Sequence, residues 1–469
     1  MDEHDVIVIG AGPAGVMAAT RAAELGARTA LVTRGELGGM ATNDGPVPVR
    51  TLAQAARMLR GARKLDGFGI ATGTPVLDYA RLLQRVRAAV DQVQRHSVLR
   101  QDIDRLGVTL HENAGDARFV DAHTIETGSG LRLQGRQFIL CAGGVSRRLS
   151  VPGAELTATH SDAWGLQQVP KSILVVGAGA TGAQVASIFS AFGSRIHLFQ
   201  RGARIIPTED EEVSAAVAAA FRAQGIDVRE DFGSIDSFER TSAGIRMNFS
   251  RAGVRDSVEA ELAVVAAGWV ADTEGLNLAA AGVQLDARGY VAVDSTLRTS
   301  APHIRAAGDI TGQWMLVPQA VQMGWVAATN AVSGTDKTLE GGIHPTGGFT
   351  EPEYASVGMT EAAARLTHDL VTAVVRFDET VRTIIDDRTA GFCKLLVDRG
   401  TRRILGCHVV GERAVEMVQL AAIAMASSLP VDEMARLPLS FPTYTGILVR
   451  AAFRAVEQLG AEKQTSAWP

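Results

Sequence analysis

Two glycine patterns carry the plainest chemistry in this sequence. Gly10-x-Gly12-x-x-Gly15 follows the apolar run Val6–Ile9, and Gly177-x-Gly179-x-x-Gly182 follows Ile173–Val176. A buried strand, a glycine turn and a helix in that order bind a dinucleotide. The first glycine makes the tight turn, the second admits a pyrophosphate to the backbone, and the third lets the helix pack on the strand. The helix N-terminus then offers unpaired N–H groups and partial positive charge to the phosphates. Each pattern thus predicts one bound dinucleotide.

The residues that would grip the two riboses differ from the common pattern. After the second glycine turn, the strand Arg195–Phe199 runs into Gln200-Arg201-Gly202-Ala203-Arg204. An acidic residue at this strand end favours the free ribose hydroxyls of NADH. Arg201 and Arg204 instead suit a 2′-phosphate, which favours NADPH over NADH. After the first turn the matching position is Thr33, followed by Arg34, with Glu36 out of register. The usual strand-end carboxylate is therefore missing there.

The elements that must hold these turns are legible around them. A helical period runs from the first turn to Leu25, followed by a strand at Thr29–Val32, and a second helix runs through Phe192. Residues 137–144 (QFILCAGG) and 262–269 (LAVVAAGW) each read as a strand closing on glycines, Gly143 and Gly268 among them. Residues 304–309 form a strand ending in Gly308-Asp309, and a helix starts near Val317-Pro318-Gln319-Ala320. Leu82–Leu106 has one apolar stripe, with Leu82, Val86, Val90, Val93 and Leu99, and a solvated arginine-rich face. Residues 145–171 and 335–348 have the punctuation of junctions. Farther on, Gly391–Leu396 and Ile404–Val410 read as adjacent antiparallel strands, with the apolar helix Ala414–Ser428 packed on them.

Composition bounds the rest. At 469 residues the chain is too long for one core. A net charge of −5 offers no basic field for nucleic acid or an anionic membrane. Cys141, Cys393 and Cys407 are far apart, so neither a disulfide framework nor a metal site is expected, and a reducing cytoplasm is the default. No long uncharged apolar run predicts a membrane span, and the N-terminus lacks the basic region of a secretion signal.

Over essentially its whole length the chain resembles the class I flavoprotein disulfide reductases, which include glutathione, lipoamide and mercuric reductases. The likeness rests on the two glycine patterns, on Ala306-Ala307-Gly308-Asp309, and on FTEPEYASVGMTE from Phe349. It implies an α/β fold with two Rossmann-like dinucleotide-binding domains, for FAD and NAD(P), plus a C-terminal α+β dimerisation domain. The implied boundaries are 1–151 and 271–344 for FAD, 152–270 for NAD(P) and 345–469 for dimerisation, in a homodimer. Gly10, Gly12, Gly15, Gly38, Gly39 and Gly143 would then hold FAD. Asp309, after Gly308, would bond its ribityl chain, and the helix containing Ala320 would face its pyrimidine. Gly177, Gly179, Gly182 and Gly268, with Arg201 and Arg204, would hold NAD(P).

The departures from that family are chemical. Its segment GG-x-C-x-x-x-x-C-x-P-S-K carries the redox disulfide, but here the two cysteine positions are Ala41 and Pro46 and the lysine position is Arg50. The family's His-Pro-T-x-x-Glu, given by the partner subunit, reads Phe441-Pro442-Thr443-Tyr444-Thr445-Gly446. A phenyl ring moves no proton, so thiol exchange loses its acid–base group along with its sulfurs. The glutamate that pairs with the family's lysine is Gln184 here. Arg50 keeps a positive charge at the flavin without that carboxylate. The resemblance then implies electron transfer from NAD(P)H through FAD to a non-disulfide organic acceptor such as a quinone. Ala41, Pro46, and Phe441 and Tyr444 of the partner subunit would line an apolar pocket for it, Tyr444 able to donate to a carbonyl. Two other readings stay open: oxidation of a small biosynthetic metabolite, and a catalytically silent nucleotide-binding sensor or assembly partner.

Overall fold

The computed structural model describes residues 2–96, 98–339 and 341–460. The tail 461–469 of the expected dimerisation domain, along with Met1, lies outside the described residues. Three sheets organise the chain. In the first, Asp2–Ile9 runs parallel between Thr29–Val32 and Arg132–Leu140, and Ile304–Ala306 returns much later to pair with Arg132–Leu140. Val6 to Ile9 are almost wholly buried, as a strand covered on both faces requires. The helix Pro13–Glu24 packs on this sheet and against Val317–Ser333. That contact is close enough that a Cβ on Gly324 would sit 2.2 Å from the Ala14 carbonyl oxygen.

The second sheet is parallel in the order Asp227–Glu230, Arg195–Gln200, Ser172–Val176, Leu262–Val265, Ala158–Thr159. An antiparallel meander, Ser234–Arg240, Ile245–Arg251 and Val254–Ala260, covers one side through Phe199, Phe232 and Phe249 packed edge to face. The third sheet is antiparallel, in the order Thr346–Gly348, Tyr354–Gly358, Ile404–Val410, Phe392–Asp398, Leu370–Arg376. The helices Ala414–Ala426 and Gly446–Gln458 bury their apolar faces on it. Cys393 and Cys407 are fully buried in this core. Among the described residues no helix is long and apolar enough to cross a membrane, and no cluster suited to a metal ion occurs.

The helix expected over Leu82–Leu106 is seen as Tyr79–His96 and Val98–Arg105, with Ser97 outside the described residues. Val86 packs into the core under the second sheet, and Ile103 packs into that of the first glycine turn.

A buried cation joins the second and third units. Lys394, on Phe392–Asp398, is 2% exposed and lies 2.9 Å from Asp210 and 3.5 Å from Glu212, and also bonds Glu361. Asp210 caps the helix Glu211–Ala223 by accepting from the Glu212 N–H, and accepts the Glu361 N–H as well. Burial works to lower the lysine's pKa, but the bonds to Glu361 and Asp210 win and raise it.

Candidate active site

A cavity of about 850 Å³ opens where the three units meet. Its innermost wall is the first glycine turn. Gly10 has φ +102°, and a Cβ there would lie 2.2 Å from the Cys141 carbonyl oxygen. A Cβ on Gly15 would lie 1.8 Å from the Gly10 oxygen. Gly12 differs: nothing stands within 4 Å of where its Cβ would be, and the same holds for Gly143. These two glycines leave a cradle that any side chain would fill. The second turn repeats this: a Cβ on Gly182 would lie 1.8 Å from the Gly177 oxygen, and there is open space at Gly179 and Gly268.

The floor comes from two short-linked helices, Gly39–Asn43 and Pro46–Ala62. Gly38 and Gly39 both have positive φ, and a Cβ on Gly39 would stand 2.7 Å from the Gly12 Cα. The floor can thus approach the phosphate turn only through glycine. Ala41 and Pro46 face the cavity from it. Asp309, opposite, is half-buried, and desolvation alone pushes its carboxyl up to about 6, with no protein cation offsetting it. Ala320, near the start of Val317–Ser333, completes that wall.

One charged side chain gathers contacts from all three units. The Arg50 guanidinium, from the floor helix, donates to the Gln184 side-chain oxygen and lies 3.5 Å from the centroid of the Phe349 ring. Gln184 is 9% exposed and is steadied by its bond to the Ala180 carbonyl. Burial lowers the Arg50 pKa to about 10, so it stays charged at neutral pH. The sequence expectation placed Arg50 and Gln184 together, and they touch; the ring beneath them was not foreseen.

A second polar group on the cavity wall was missed altogether. His160 is 4% exposed, lies edge-on to Trp269 at 4.8 Å, and has a hydrogen-bond partner at each ring nitrogen. Nδ1 meets the Ser146 hydroxyl at 2.9 Å and Nε2 the Ser161 hydroxyl at 3.3 Å. Ser161 in turn donates to Asp44, on the floor. Burial lowers the His160 pKa and raises that of Asp44. No sequence signal joined them, because Asp44 and Ser161 are 117 residues apart.

At the far end of the cavity Thr33 is buried and Arg34 bridges Asp116 and Asp272, the latter at 3.2 Å. Both carboxylates line the cavity. Two neighbouring loops thus bring carboxylates beside the strand end that lacks one. At the second nucleotide turn the two arginines part company. Arg204 donates to the Pro207 and Glu209 carbonyls, whereas Arg201 is exposed.

Phe441 and Tyr444 do not line the cavity of their own chain. Phe441 is 53% exposed, and the Tyr444 hydroxyl donates to Asp386 at 2.8 Å. That hydroxyl, expected as a donor to a substrate carbonyl, already has an acceptor within the chain.

The family models described as pyridine nucleotide-disulphide oxidoreductase and its dimerisation domain match residues 4–324 and 344–452. The chain belongs to the pyridine nucleotide-disulphide oxidoreductase family. It is 31% identical to the mercuric reductase of Streptomyces lividans, with 92% of each chain covered. It is 30% identical to the dihydrolipoyl dehydrogenase of Zymomonas mobilis, covering 94% of this chain and 95% of that one. In fold it matches the HOCl-induced flavoprotein disulfide reductase RclA from Escherichia coli, with a TM-score of 0.86 at 22% identity. That match covers 96% of this chain and 99% of the other. Members of this oxidoreductase family use FAD with NAD(P)H. The open cradle at Gly12 and Gly143 and the half-buried carboxyl of Asp309, with no cation beside it, fit such a cofactor. The C-terminal match is a dimerisation domain, which supports a homodimer.

Proposed function

We propose that this chain is an NAD(P)H-dependent FAD oxidoreductase that delivers electrons to a non-disulfide organic acceptor of the quinone class. The observation that carries this reading is the cavity floor, where Ala41 and Pro46 stand in the family's two cysteine positions. The single thiol that lines the cavity, Cys141, is buried, and desolvation raises its pKa far above the thiol range. Cys393 and Cys407 are enclosed in the C-terminal core. A lone buried thiol can neither form an intramolecular disulfide nor act as a ready nucleophile. Such thiols suit a reducing cytoplasm.

FAD, when bound, supplies hydride acceptance from the nicotinamide and passage of both electrons onward. The protein's part is placement and charge. Gly12 and Gly143 would leave the room for the pyrophosphate, Gly10, Gly15, Gly38 and Gly39 would shape the turns that present N–H groups to it, and Asp309 would accept hydroxyl hydrogens of the ribityl chain. Arg50, its guanidinium directed but not neutralised by the bond to Gln184, would hold one positive charge beside the bound flavin. On the opposite side the apolar floor excludes water from a flat acceptor. Phe441 and Tyr444 of the partner subunit complete that pocket in the homodimer.

Anaerobic titration of the holoenzyme with NADPH tests the core of this reading. The visible flavin band is expected to bleach without the long-wavelength thiolate charge-transfer band, and 1,4-benzoquinone is expected to restore it. Oxidised lipoamide or glutathione disulfide restoring it as fast as the quinone would overturn the assignment.

The nicotinamide preference rests on Arg201, since Arg204 is already bonded to its own loop. Arg201→Ala is expected to raise the KM for NADPH by roughly ten-fold or more, the worth of a charge-assisted hydrogen bond. The KM for NADH should hardly move. Equal KM shifts for both nicotinamides in steady-state assays would remove Arg201 from phosphate recognition.

A further inference from the structure

We infer that Asp44, Ser161, His160 and Ser146 form a proton-delivery chain for acceptor reduction. The inference rests on the functional reading above. Converting a quinone to its hydroquinone takes two electrons and two protons. The hydride leaving the nicotinamide carries both electrons and one proton, so one further proton must come from solvent. In this chain the positions of the family's thiols and partner histidine hold Ala41, Pro46 and Phe441, none of which carries a proton.

The geometry for that second proton is present on the cavity wall. Asp44 sits on the floor segment between Ala41 and Pro46 and accepts from the Ser161 hydroxyl. Ser161 reaches His160 Nε2 at 3.3 Å, and His160 Nδ1 reaches Ser146 at 2.9 Å. The His160 ring lines the cavity, while Gly144 and Val145, the neighbours of Ser146, line it beside the ring. Four groups thus run unbroken from the floor to the His160–Ser146 lip. The ring cannot drift, because Trp269 packs on it and the Trp269 carbonyl is held by the Tyr290 hydroxyl at 2.9 Å.

The charged groups facing His160 are Asp44 and Asp162; Ser146 and Trp269, from the other packed elements, bring none. Asp162 is committed to Thr159, whose N–H and hydroxyl it accepts at 2.7 and 2.9 Å. Asp44 is therefore the group that exchanges a proton with the ring. Burial raises the Asp44 pKa and lowers that of His160.

The O–H bond of the Asp44 carboxyl breaks as a new O–H bond forms on the acceptor oxygen over the floor. The carboxylate then takes the Ser161 hydroxyl proton, in the direction of their hydrogen bond, and Ser161 takes the proton of His160 Nε2. Nδ1 takes the Ser146 hydroxyl proton, and water at the far end of the chain reprotonates Ser146. The nicotinamide is oxidised by two electrons and the acceptor is reduced by two.

The test compares two oxidants of the NADPH-reduced holoenzyme in stopped flow. Benzoquinone needs the proton, whereas ferricyanide takes one electron at a time and none. For His160→Gln the ratio of quinone rate to ferricyanide rate is expected to fall on the order of 10²-fold, the usual worth of general acid catalysis. The solvent deuterium isotope effect on the quinone reaction should change with it. Ser161→Ala breaks the chain without touching the ring and is expected to lower the same ratio, so the test stands even if His160→Gln does not fold. An unchanged ratio in Ser161→Ala, with the wild-type pH profile, overturns the relay alone. A wild-type enzyme that ferricyanide oxidises but no quinone does overturns the functional reading, and the relay falls with it.

Discussion

A chain carrying Gly182→Val is expected to purify yellow yet be almost unreactive toward NADPH, while Gly15→Val is expected to purify colourless. The two glycines occupy equivalent places in the two nucleotide units. At each, a Cβ would sit 1.8 Å from the carbonyl oxygen of the turn's first glycine, Gly177 or Gly10. That neighbour is backbone, so no side chain can swing aside. The helix must move off its strand, and its N-terminus moves with it, away from the phosphates it would hold. Displacement of about 1 Å is enough to cost on the order of 10²-fold in a reaction that depends on placement. The glycines and Asp309 that would hold the flavin do not lie on the helix that Gly182→Val moves, so absorbance near 450 nm should persist while anaerobic bleaching by NADPH slows by that factor. Normal bleaching in Gly182→Val, or flavin retained in Gly15→Val, would show that the glycine turns are not the nucleotide grips.

The second large effect concerns Lys394. Lys394→Met removes the cation from a cluster in which Asp210 is 2% exposed, leaving that carboxylate buried without its partner. Breaking a buried pair from one side costs about 3–5 kcal/mol. If the helix Glu211–Ala223 and the third sheet unfold together, the thermal midpoint should fall by about 10 °C. Adding Asp210→Asn to Lys394→Met should recover part of the loss, because the stranded charge goes too. The pH dependence has a definite sign. Burial opposes the Asp210 charge, but the bonds from Glu361 and Lys394 prevail and hold its pKa below the ordinary 3.8. Its contribution is therefore present above pH 3.8 and lost as pH falls through the lower folded value. Lys394 is raised above the ordinary 10.5, so its contribution is present below that pH and lost as pH climbs through the folded value. Wild-type stability should sag at both extremes, and Lys394→Met should flatten both. A melting midpoint within 2 °C of wild type at neutral pH would contradict this account.

The parts of the site that sequence reveals are those set by local geometry. A tight turn between strand and helix needs glycine at fixed offsets, so both nucleotide turns, and the strand ending at Gly308-Asp309, could be read directly. The altered floor was legible for a related reason, since Ala41, Pro46 and Arg50 stand at fixed distances from Gly39. What sequence did not reveal depends on which distant segments pack together. Asp44 and Ser161 meet only because the floor helix lies against the junction before the second sheet. Phe349 slides under Arg50 only because the third unit docks there. The carboxylates beside Arg34 come from loops near residues 116 and 272, so a search confined to the strand end at Thr33 found none. Arg204 reads as a phosphate ligand by type and spacing; that the loop's own carbonyls take the hydrogens of one of its guanidinium nitrogens depends on backbone conformation, which is not written in side-chain identity.

Arg50 ties the making of this site to the making of the chain. Its guanidinium is positioned by Gln184 and by Phe349, which a ribosome adds in that order and long after residue 50 itself. The flavin turn and the floor can be in place while the arginine still has neither anchor. Only when the last third has emerged and docked does the cavity hold its positive charge at a fixed point. A truncated or half-made chain would possess the cradle without the charge, so competence arrives with the final unit and not with the first fold to form.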